Sequence, residues 1–256
     1  MPYYVTSGGA LYAADHQRKA AQKTPLILIH GAGSSHLAWP AALRRWEGRR
    51  VLALDLPGHG RSEGTSSATL ADYSQAVQAL GQALELEQGV VVGHSMGGGV
   101  ALHLALQAPA LVAGLVILGS GAHLPVNPAL LEALRNGNRS VLPKLNRAAW
   151  APDAHPALQA LALQTLMDVP AKVLYDDYAA CAKFDLRTAL DQVRCPILVM
   201  TGSLDRMTPP ALGRDLATRV PIAEYIEIEG GGHWMMLEQP EAVREAMAGW
   251  FLRHPR

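Results

Sequence analysis

The sequence predicts an α/β fold, with a doubly wound, mostly parallel sheet of eight strands and an inserted helical segment. Three observations predict it. Short apolar runs alternate with helical patterns along most of the 256 residues. Several of these runs contain no polar residue, which is typical of strands covered on both faces. Between residues 124 and 191 the alternation stops, and the insertion is expected there.

The expected strands and helices follow directly from these runs. Residues 2–6 and 11–16 form an expected hairpin joined by Gly8 and Gly9. Later strands are expected at residues 25–29, 50–54, 89–92, 111–118, 197–201 and 224–228. Helices are expected at residues 37–46, 69–86, 95–107, 209–219 and 240–253. Such an alternation favours a largely parallel sheet with helices on both faces.

Residues 124–191 contain six prolines, short helical patterns and no strong strand pattern. Because this stretch lies between two core strands, we expect a helical cap over the C-terminal edge of the sheet. The expected division is a core of residues 1–123 and 192–256 and a cap of residues 124–191. A long surface insertion without a function is the alternative.

The charge balance gives no reason to expect a nucleic-acid partner. Lys plus Arg number 22 and Asp plus Glu number 22, so the formal net charge is zero. Local basic pairs such as Arg44-Arg45 are therefore expected on solvated helix and turn faces. Apolar residues make up 49% of the chain, which is enough for a substantial core.

Several features favour a cytoplasmic location. The N-terminus has no basic segment followed by an apolar one, so we expect no signal peptide. No apolar run approaches the roughly 18–20 residues that cross a bilayer, so no membrane partner is expected. Cys181 and Cys195 match neither a metal-ligand spacing nor a disulfide framework, and we expect two thiols in a reducing compartment. The oligomeric state is left open.

A candidate nucleophile lies between an expected strand and an expected helix. Residues 93–97 read Gly-His-Ser-Met-Gly. The G-x-S-x-G pattern is typical of a sharp strand-to-helix turn that exposes a serine hydroxyl. Gly93 and Gly97 have no Cβ atom and let the strand and helix approach closely. Ser95 is therefore the candidate nucleophile, and the backbone N–H of Met96 is a candidate donor to an oxyanion.

A candidate acid and a candidate base follow the last two strands. Asp205 comes four residues after the strand at 197–201, where it is placed to orient a histidine. The alternative is that Asp205 only ends the strand or caps a turn. His233 follows three glycines beyond the strand at 224–228. Of the ten histidines, it alone has the order and placement expected of the base for Ser95.

The loop after the strand at 25–29 reads His-Gly-Ala-Gly-Ser-Ser over residues 30–35. Acyl transfer creates an oxyanion, which needs two preorganised N–H donors. The N–H of Ala32 is the candidate for the second donor. A glycine-rich phosphate cradle is the alternative, but the loop has neither G-x-G-x-x-G nor G-x-x-x-x-G-K-[ST].

Taken together, these segments resemble the α/β-hydrolase family over nearly the whole chain outside residues 124–191. The segments that carry the resemblance are His30-Gly31, 55–62 (Asp-Leu-Pro-Gly-His-Gly-Arg-Ser), 93–98, 202–205 and Gly232-His233. The 55–62 segment looks like the family's D-x-x-G-x-G-x-S loop, where no chemical role is expected for His59. Haloalkane dehalogenases and epoxide hydrolases of this fold carry Asp where this chain has Ser95.

The motifs and the resemblance together imply a serine hydrolase that cleaves carboxylic esters of small to medium apolar acyl groups through an acyl-enzyme. Ser95 is expected to attack, His233 to act as base and then acid, and Asp205 to orient His233. Ala32 and Met96 are expected to bind the oxyanion. No cofactor and no metal are expected, since the chain has no H-E-x-x-H and no clustered His and Asp ligands.

Other functions on the same fold stay open. C–C bond hydrolases, lactonases and haloperoxidase-like perhydrolases use a similar Ser/Asp/His set. A non-catalytic receptor for a small molecule is a further alternative, against which the complete set argues. The substrate pocket is expected between the sheet edge and the cap. The candidate lining residues are Trp234, Met207, Met235, Leu124 and Trp150, although ordinary core packing is equally open for each.

Overall fold

The computed structural model describes residues 3–6, 8–17 and 23–254, and its centre is an eight-stranded sheet. The strands are β1 (Tyr3–Thr6), β2 (Gly9–His16), β3 (Leu26–Ile29), β4 (Val51–Leu54), β5 (Gly89–His94), β6 (Val112–Leu118), β7 (Ile197–Gly202) and β8 (Ala223–Ile228). They lie in the order β1-β2-β4-β3-β5-β6-β7-β8. Strands β3 to β8 pair in parallel, whereas β2 runs antiparallel to β1 and β4. The predicted α/β class is confirmed; residue 2 of the predicted first strand lies outside the described residues.

The short strand β3 illustrates why the central strands are apolar throughout. All four of its residues are buried, and successive side chains point to opposite faces. Ile27 and Ile29 belong to the core on one face, whereas Leu26 and Leu28 belong to the core on the other. A polar residue at any of these positions would lose water without gaining a partner.

Helices cover both of these faces. In the described part of the chain the α-helices are α1 (Ala41–Arg44), α2 (Leu70–Ala83), α3 (Met96–Gln107), α4 (Pro128–Arg135), α5 (Leu142–Ala148), α6 (Pro156–Asp168), α7 (Ala171–Lys183), α8 (Pro210–Arg219), α9 (Met235–Glu238) and α10 (Pro240–Arg253). Helices α2, α3 and α8 contribute to the core on one face, and α1 and α10 to the core on the other. None of the helices in residues 23–254 combines the length and apolar character that a bilayer crossing requires.

The helix predicted at residues 37–46 is wrong as one continuous element. The structure has a 3₁₀ turn at His36–Ala38 and then the short α1. Pro40 separates them, because the residue before a proline is disfavoured in the helical region. Trp39 accordingly adopts an extended conformation, with φ −86° and ψ 129°.

Helices α4 to α7 connect β6 to β7 and fall within residues 124–191, here called the α4–α7 segment. Helix α7 is the most firmly buried of the four, with eight buried residues, whereas α6 has none. Leu134, Leu142, Leu174 and Tyr178 form a small core of their own within this segment. The domain division at residues 123 and 192 stays a prediction.

Candidate active site

Ser95 occupies a strained turn between the end of β5 and the start of α3. Its backbone has φ 54° and ψ −120°, a conformation that costs free energy for a residue with a side chain. The turn is held because the N–H of Ser95 donates to the carbonyl of Leu118 at 2.9 Å. A Cβ atom at Gly93 would overlap the backbone oxygen of Gly97, and one at Gly97 would overlap that of Ile29. The two glycines are therefore what allows the turn to form.

A cavity of about 450 Å³ opens beside Ser95. The predicted lining residues Trp234, Met207, Leu124 and Trp150 all lie in its wall. Met235 does not, so its prediction is wrong: its side chain is fully buried in the core beneath α10. Met235 is the first residue of α9, one position beyond Trp234, and the rotation of the helix directs it away from the cavity.

The structure brings Asp205 and His233 together. Asp205 follows β7 and His233 follows β8, and these strands are neighbours in the sheet. The distance from His233 Nδ1 to Asp205 Oδ2 is 2.8 Å, and both residues are 3% exposed. Because a carboxylate only accepts, Nδ1 carries the hydrogen and Nε2 is left with its lone pair in the neutral ring.

Further donors hold Asp205 in place. Its Oδ1 accepts the backbone N–H groups of Met207 at 2.8 Å and Thr208 at 2.9 Å. The hydroxyl of Thr208 lies 2.8 Å from Asp205 Oδ2, 2.8 Å from the carbonyl of Gly119 and 3.0 Å from His233 Nδ1. Burial alone would raise the pKa of Asp205, but the charge and hydrogen bond of His233 and the bonds from Thr208 hold that pKa below its ordinary value. Asp205 is therefore a stable anion against the histidine ring.

The backbone of His233 is fixed from two sides. Its N–H donates to the carbonyl of Ala149 at 2.9 Å, and its carbonyl accepts from His94 Nε2 at 2.8 Å. Burial and the neighbouring His233 lower the pKa of His94 to about 3, so its ring is neutral and Nε2 carries the hydrogen. The Glu238 carboxylate accepts the N–H of Gly232 at 2.8 Å, which holds the residue before His233.

Ser95 and His233 both line the cavity. Within the described chain, the ring hydrogen bonds of His233 go to Asp205 and Thr208, so Ser95 shares the cavity with His233 without a hydrogen bond to it. Elsewhere in residues 3–6, 8–17 and 23–254, no three His, Cys, Asp or Glu side chains form a group that could hold a metal ion.

The 30–35 loop forms another part of the cavity wall and includes Ala32. His30 Nε2 accepts the N–H of Leu56 at 3.1 Å, and His30 Nδ1 donates to the carbonyl of Gly31 at 2.8 Å. Burial lowers the pKa of His30 to about 4, with the neighbouring His59 adding to the effect, so the ring is neutral, as these two bonds require. The carbonyl of Gly31 and the N–H of Ala32 belong to one planar peptide unit and point in opposite directions. His30 thereby sets the direction of the Ala32 N–H.

Met96 is the first residue of α3, directly after Ser95. The first four N–H groups of a helix have no partner within the helix, and the N–H of Met96 is one of them. The helix macrodipole adds partial positive charge at this end. The side chain of Met96 is fully buried in the core, so only its backbone is offered to chemistry.

Three residues that support this site were missed in the sequence. Thr208 stands three positions after Asp205, a spacing typical of a side chain that bonds a nearby turn and the one signal that could have found it. His94 lies inside the Gly-His-Ser-Met-Gly motif, but its bond to His233 spans 139 positions. Glu238 has no local signal, since it acts on Gly232 and Ala151 through the tertiary fold.

Comparisons with known proteins agree with this fold. The family model described as "Alpha/beta hydrolase family" matches residues 26–246. The chain is 31% identical to the dihydrolipoyllysine-residue acetyltransferase component of the acetoin cleaving system of Pseudomonas putida, over 90% of this chain and 64% of that protein. It is 28% identical to (E)-2-((N-methylformamido)methylene)succinate hydrolase of Acinetobacter baylyi, over 94% and 95% of the two chains. Among solved structures, a thermophilic esterase aligns with a TM-score of 0.86 and 26% identity over 99% of this chain and 97% of that one.

Proposed function

The chain belongs to the alpha/beta hydrolase family, and from that premise we propose that it is a serine hydrolase of carboxylic esters with small to medium apolar acyl groups. One observation carries the proposal. Asp205 holds Nδ1 of His233 at 2.8 Å, and the histidine faces a cavity that also contains Ser95 on its strained turn. This arrangement offers a hydroxyl and an oriented base to one bound molecule.

In the proposed reaction, Nε2 of His233 accepts the proton of the Ser95 hydroxyl while Oγ attacks the ester carbonyl carbon. The carbonyl oxygen becomes an oxyanion and accepts hydrogen bonds from the N–H groups of Ala32 and Met96. As the tetrahedral intermediate collapses, the protonated His233 gives its proton to the departing alcohol. Water then attacks the acyl-enzyme by the same route and releases the acid.

The missing hydrogen bond between Ser95 and His233 is compatible with this reaction. Catalytic hydrogen bonds are often long in the free enzyme and tighten in the complex with substrate. The negative charge of Asp205 favours the protonated form of His233 as it develops during the attack. The Thr208 hydroxyl and two N–H groups keep Asp205 in the orientation that this role needs.

The side chains that line the cavity favour a substrate with an apolar acyl group. Its side chains include aliphatic residues of the α4–α7 segment and two tryptophans whose rings stack 6.0 Å apart, Trp150 and Trp234. We propose that the α4–α7 segment is the cap of this pocket. The 26% identical solved structure is an esterase, which favours ester cleavage. The names of the relatives also include an acetyltransferase component and a succinate derivative hydrolase, so family membership alone leaves the scissile bond open.

The test combines a covalent probe with a substrate panel. A fluorophosphonate should label the wild-type protein at the peptide that carries Ser95, as located by mass spectrometry, and should not label Ser95→Ala. The panel consists of p-nitrophenyl esters of increasing acyl length and one ring-cleavage product. Turnover of the short and medium esters is expected. Labelling without ester turnover, together with turnover of the ring-cleavage product, would replace ester hydrolysis by C–C hydrolysis.

A further inference from the structure

One buried histidine–aspartate pair outside the proposed reaction, His59 and Asp177, connects several parts of the fold. Asp177, on α7, is fully buried and accepts three hydrogen bonds from three different parts of the fold. Its Oδ2 accepts the N–H of Gly33 at 2.7 Å and Nε2 of His59 at 2.8 Å. Its Oδ1 accepts the hydroxyl of Tyr73, on α2, at 2.7 Å. One carboxylate thus joins α7 to the 30–35 loop, the 55–62 segment and α2.

His59 forms this pair as an imidazolium. Its Nδ1 lies 3.0 Å from the carbonyl of Pro57 and its Nε2 lies 2.8 Å from Asp177. Because a carbonyl and a carboxylate only accept, both ring nitrogens carry a hydrogen. Burial alone would lower the pKa of His59, but the hydrogen bond and charge of Asp177, with smaller help from Pro57 and Asp55, raise it above its ordinary value. The pair is therefore a buried salt bridge.

Two contacts from this pair reach the peptide units on either side of Ala32. Asp177 binds the N–H of Gly33, the next residue along the chain. The ring of His59 lies 4.9 Å, centroid to centroid, from that of His30, whose Nδ1 donates to the carbonyl of Gly31. The Gly31–Ala32 peptide unit, which carries the Ala32 N–H, is thereby held at its carbonyl by His30, and the next peptide unit is held at the Gly33 N–H by Asp177.

Helix α7 also packs directly on the loop. Gly33 has φ +61°, and a Cβ atom there would lie 2.6 Å from a methyl carbon of Leu174. Leu174 stands three residues before Asp177, so the two side chains share one face of α7. A shift of α7 would move the acceptor of the Gly33 N–H and the surface against which the loop rests.

We propose that Asp177, together with His59, is a positioning residue for the oxyanion donor. It holds the 30–35 loop from α7 and so keeps the N–H of Ala32 directed at the place where the oxyanion forms. This inference rests on the proposed function, in which Ala32 supplies that donor. It also makes α7 the part of the cap on which the geometry of the active site depends.

The neighbouring residue Asp176 provides a matched control. It is also an acidic residue of α7 and also buried, but in the described chain its hydrogen bonds come from Ser66 and Lys172 and none comes from the 30–35 loop. Replacing either aspartate removes a buried carboxylate from the same helix. A general loss of stability should follow from both substitutions, whereas a loss of donor geometry should follow only from Asp177→Ala.

The experiment compares Asp177→Ala, Asp176→Ala and Asp177→Asn at a temperature where circular dichroism shows all three to be folded. Removing a whole oxyanion donor typically costs about 10²- to 10³-fold in kcat, so a misdirected donor should cost about 10- to 100-fold. We expect Asp177→Ala to lower kcat by that factor with KM within about threefold of the wild-type value. Asp177→Asn keeps an oxygen for the Gly33 N–H and should bring kcat back to within about fivefold. Asp176→Ala should leave kcat unchanged.

The rate of fluorophosphonate labelling is the second readout, because it depends on Ser95 and the oxyanion donors and on no particular ester. Equal labelling rates in Asp177→Ala and Asp176→Ala, with a labelled wild-type protein, would overturn the positioning role and leave the proposed function standing. A wild-type protein that neither labels nor cleaves esters would overturn the proposed function itself. Should Asp177→Ala fail to fold, His59→Gln takes its place: a several-fold fall in kcat supports the inference, and an unchanged kcat refutes it.

Discussion

Two of the buried histidine–aspartate pairs in the described part of the chain have the same length and different surroundings. His233 Nδ1 lies 2.8 Å from Asp205, and His59 Nε2 lies 2.8 Å from Asp177. All four side chains are at most 4% exposed. The difference lies in the second ring nitrogen. In His59 it donates to the carbonyl of Pro57, whereas Nε2 of His233 has no hydrogen-bond partner in the described chain and the residue lines the cavity.

In the proposed function, this difference distinguishes the candidate base, His233, from His59, which acts as a tether in the sense that it only holds its neighbours in place. A histidine can accept a proton from a substrate or a serine only through a nitrogen with a free lone pair. His233 keeps such a nitrogen, while His59 has both nitrogens bound to acceptors and can only hold its neighbours in place. Burial and distance to a carboxylate are the same in both pairs, so neither property distinguishes a catalytic histidine from a structural one.

The largest expected effect comes from removing the hydroxyl of Ser95, the group on which His233 acts in the proposed reaction. Ser95→Ala should lower kcat for p-nitrophenyl esters by about 10⁶-fold, because the nucleophile is lost while the oxyanion donors and the pocket remain. Steady-state rates and circular dichroism of the purified variant check the effect and the fold. Activity within tenfold of the wild-type rate would mean that another residue is the nucleophile.

The same substitution in the two aspartates should have very different costs. Asp205→Asn should lower kcat by about 10⁴-fold, because an amide in place of the carboxylate favours the wrong tautomer of His233. Asp177→Asn should stay within about fivefold of the wild type, since no nitrogen of His59 takes part in the reaction. Parallel measurements of kcat are sufficient. Comparable losses in the two variants would contradict the distinction between base and tether.

The meeting of Asp205 and His233 could be predicted from the sequence, whereas the pairing of Asp177 and His59 could not. Ser95, Asp205 and His233 each stand in a short motif within a few residues of the end of a predicted strand, so local sequence indicates where they lie. Parallel strands then bring their carboxyl ends to one edge, where Asp205 and His233 meet. Their catalytic roles stay predictions, whereas the α/β fold that they depend on is confirmed.

No local sequence pattern predicts the contact between Asp177 and the 30–35 loop. Asp177 and Gly33 are 144 positions apart. Two adjacent aspartates such as Asp176 and Asp177 are typical of the solvent-exposed side of a helix. Only the packing of α7 against the 30–35 loop, the 55–62 segment and α2 gives Asp177 its three donors. The prediction of a continuous helix at residues 37–46 failed for a local reason, the presence of Pro40. The prediction of Met235 as a pocket residue failed because the orientation of its side chain depends on where α9 begins.

A smaller effect is expected from the residue that supports the first pair. Thr208→Val removes the hydroxyl that contacts Asp205, His233 and the carbonyl of Gly119, but it keeps the backbone N–H that donates to Asp205. The loss of one such hydrogen bond corresponds to roughly 1 kcal/mol, or about fivefold to tenfold in kcat. Thr208→Ser keeps the hydroxyl and should stay within about twofold of the wild type. Equal rates in both variants would show that the hydroxyl plays no part.

The smallest predicted effect concerns stability and arises from the salt bridge between His59 and Asp177. Because the pKa of His59 is raised in the folded protein, its salt bridge stabilises fully below the ordinary value of about 6.5 and is lost as pH rises through the folded value. Three ionisable groups near it do not titrate in this range. His30 has its pKa lowered to about 4 by burial, Tyr73 has its pKa raised by burial, and hydrogen bonds keep the pKa of Asp55 low despite burial.

His59→Gln should therefore differ most from the wild type below about pH 6.5 and least in alkaline solution. The free energy of unfolding of both proteins, measured in urea at pH 6, 7, 8 and 9, should show a difference in stability that decreases as the pH rises. His103→Gln is the control, because burial lowers the pKa of His103 and its replacement should not remove an alkaline loss of stability. A gap between wild type and His59→Gln that is constant from pH 6 to 9 would mean that His59 is not an imidazolium in the folded protein, and the tether would then be a neutral hydrogen bond.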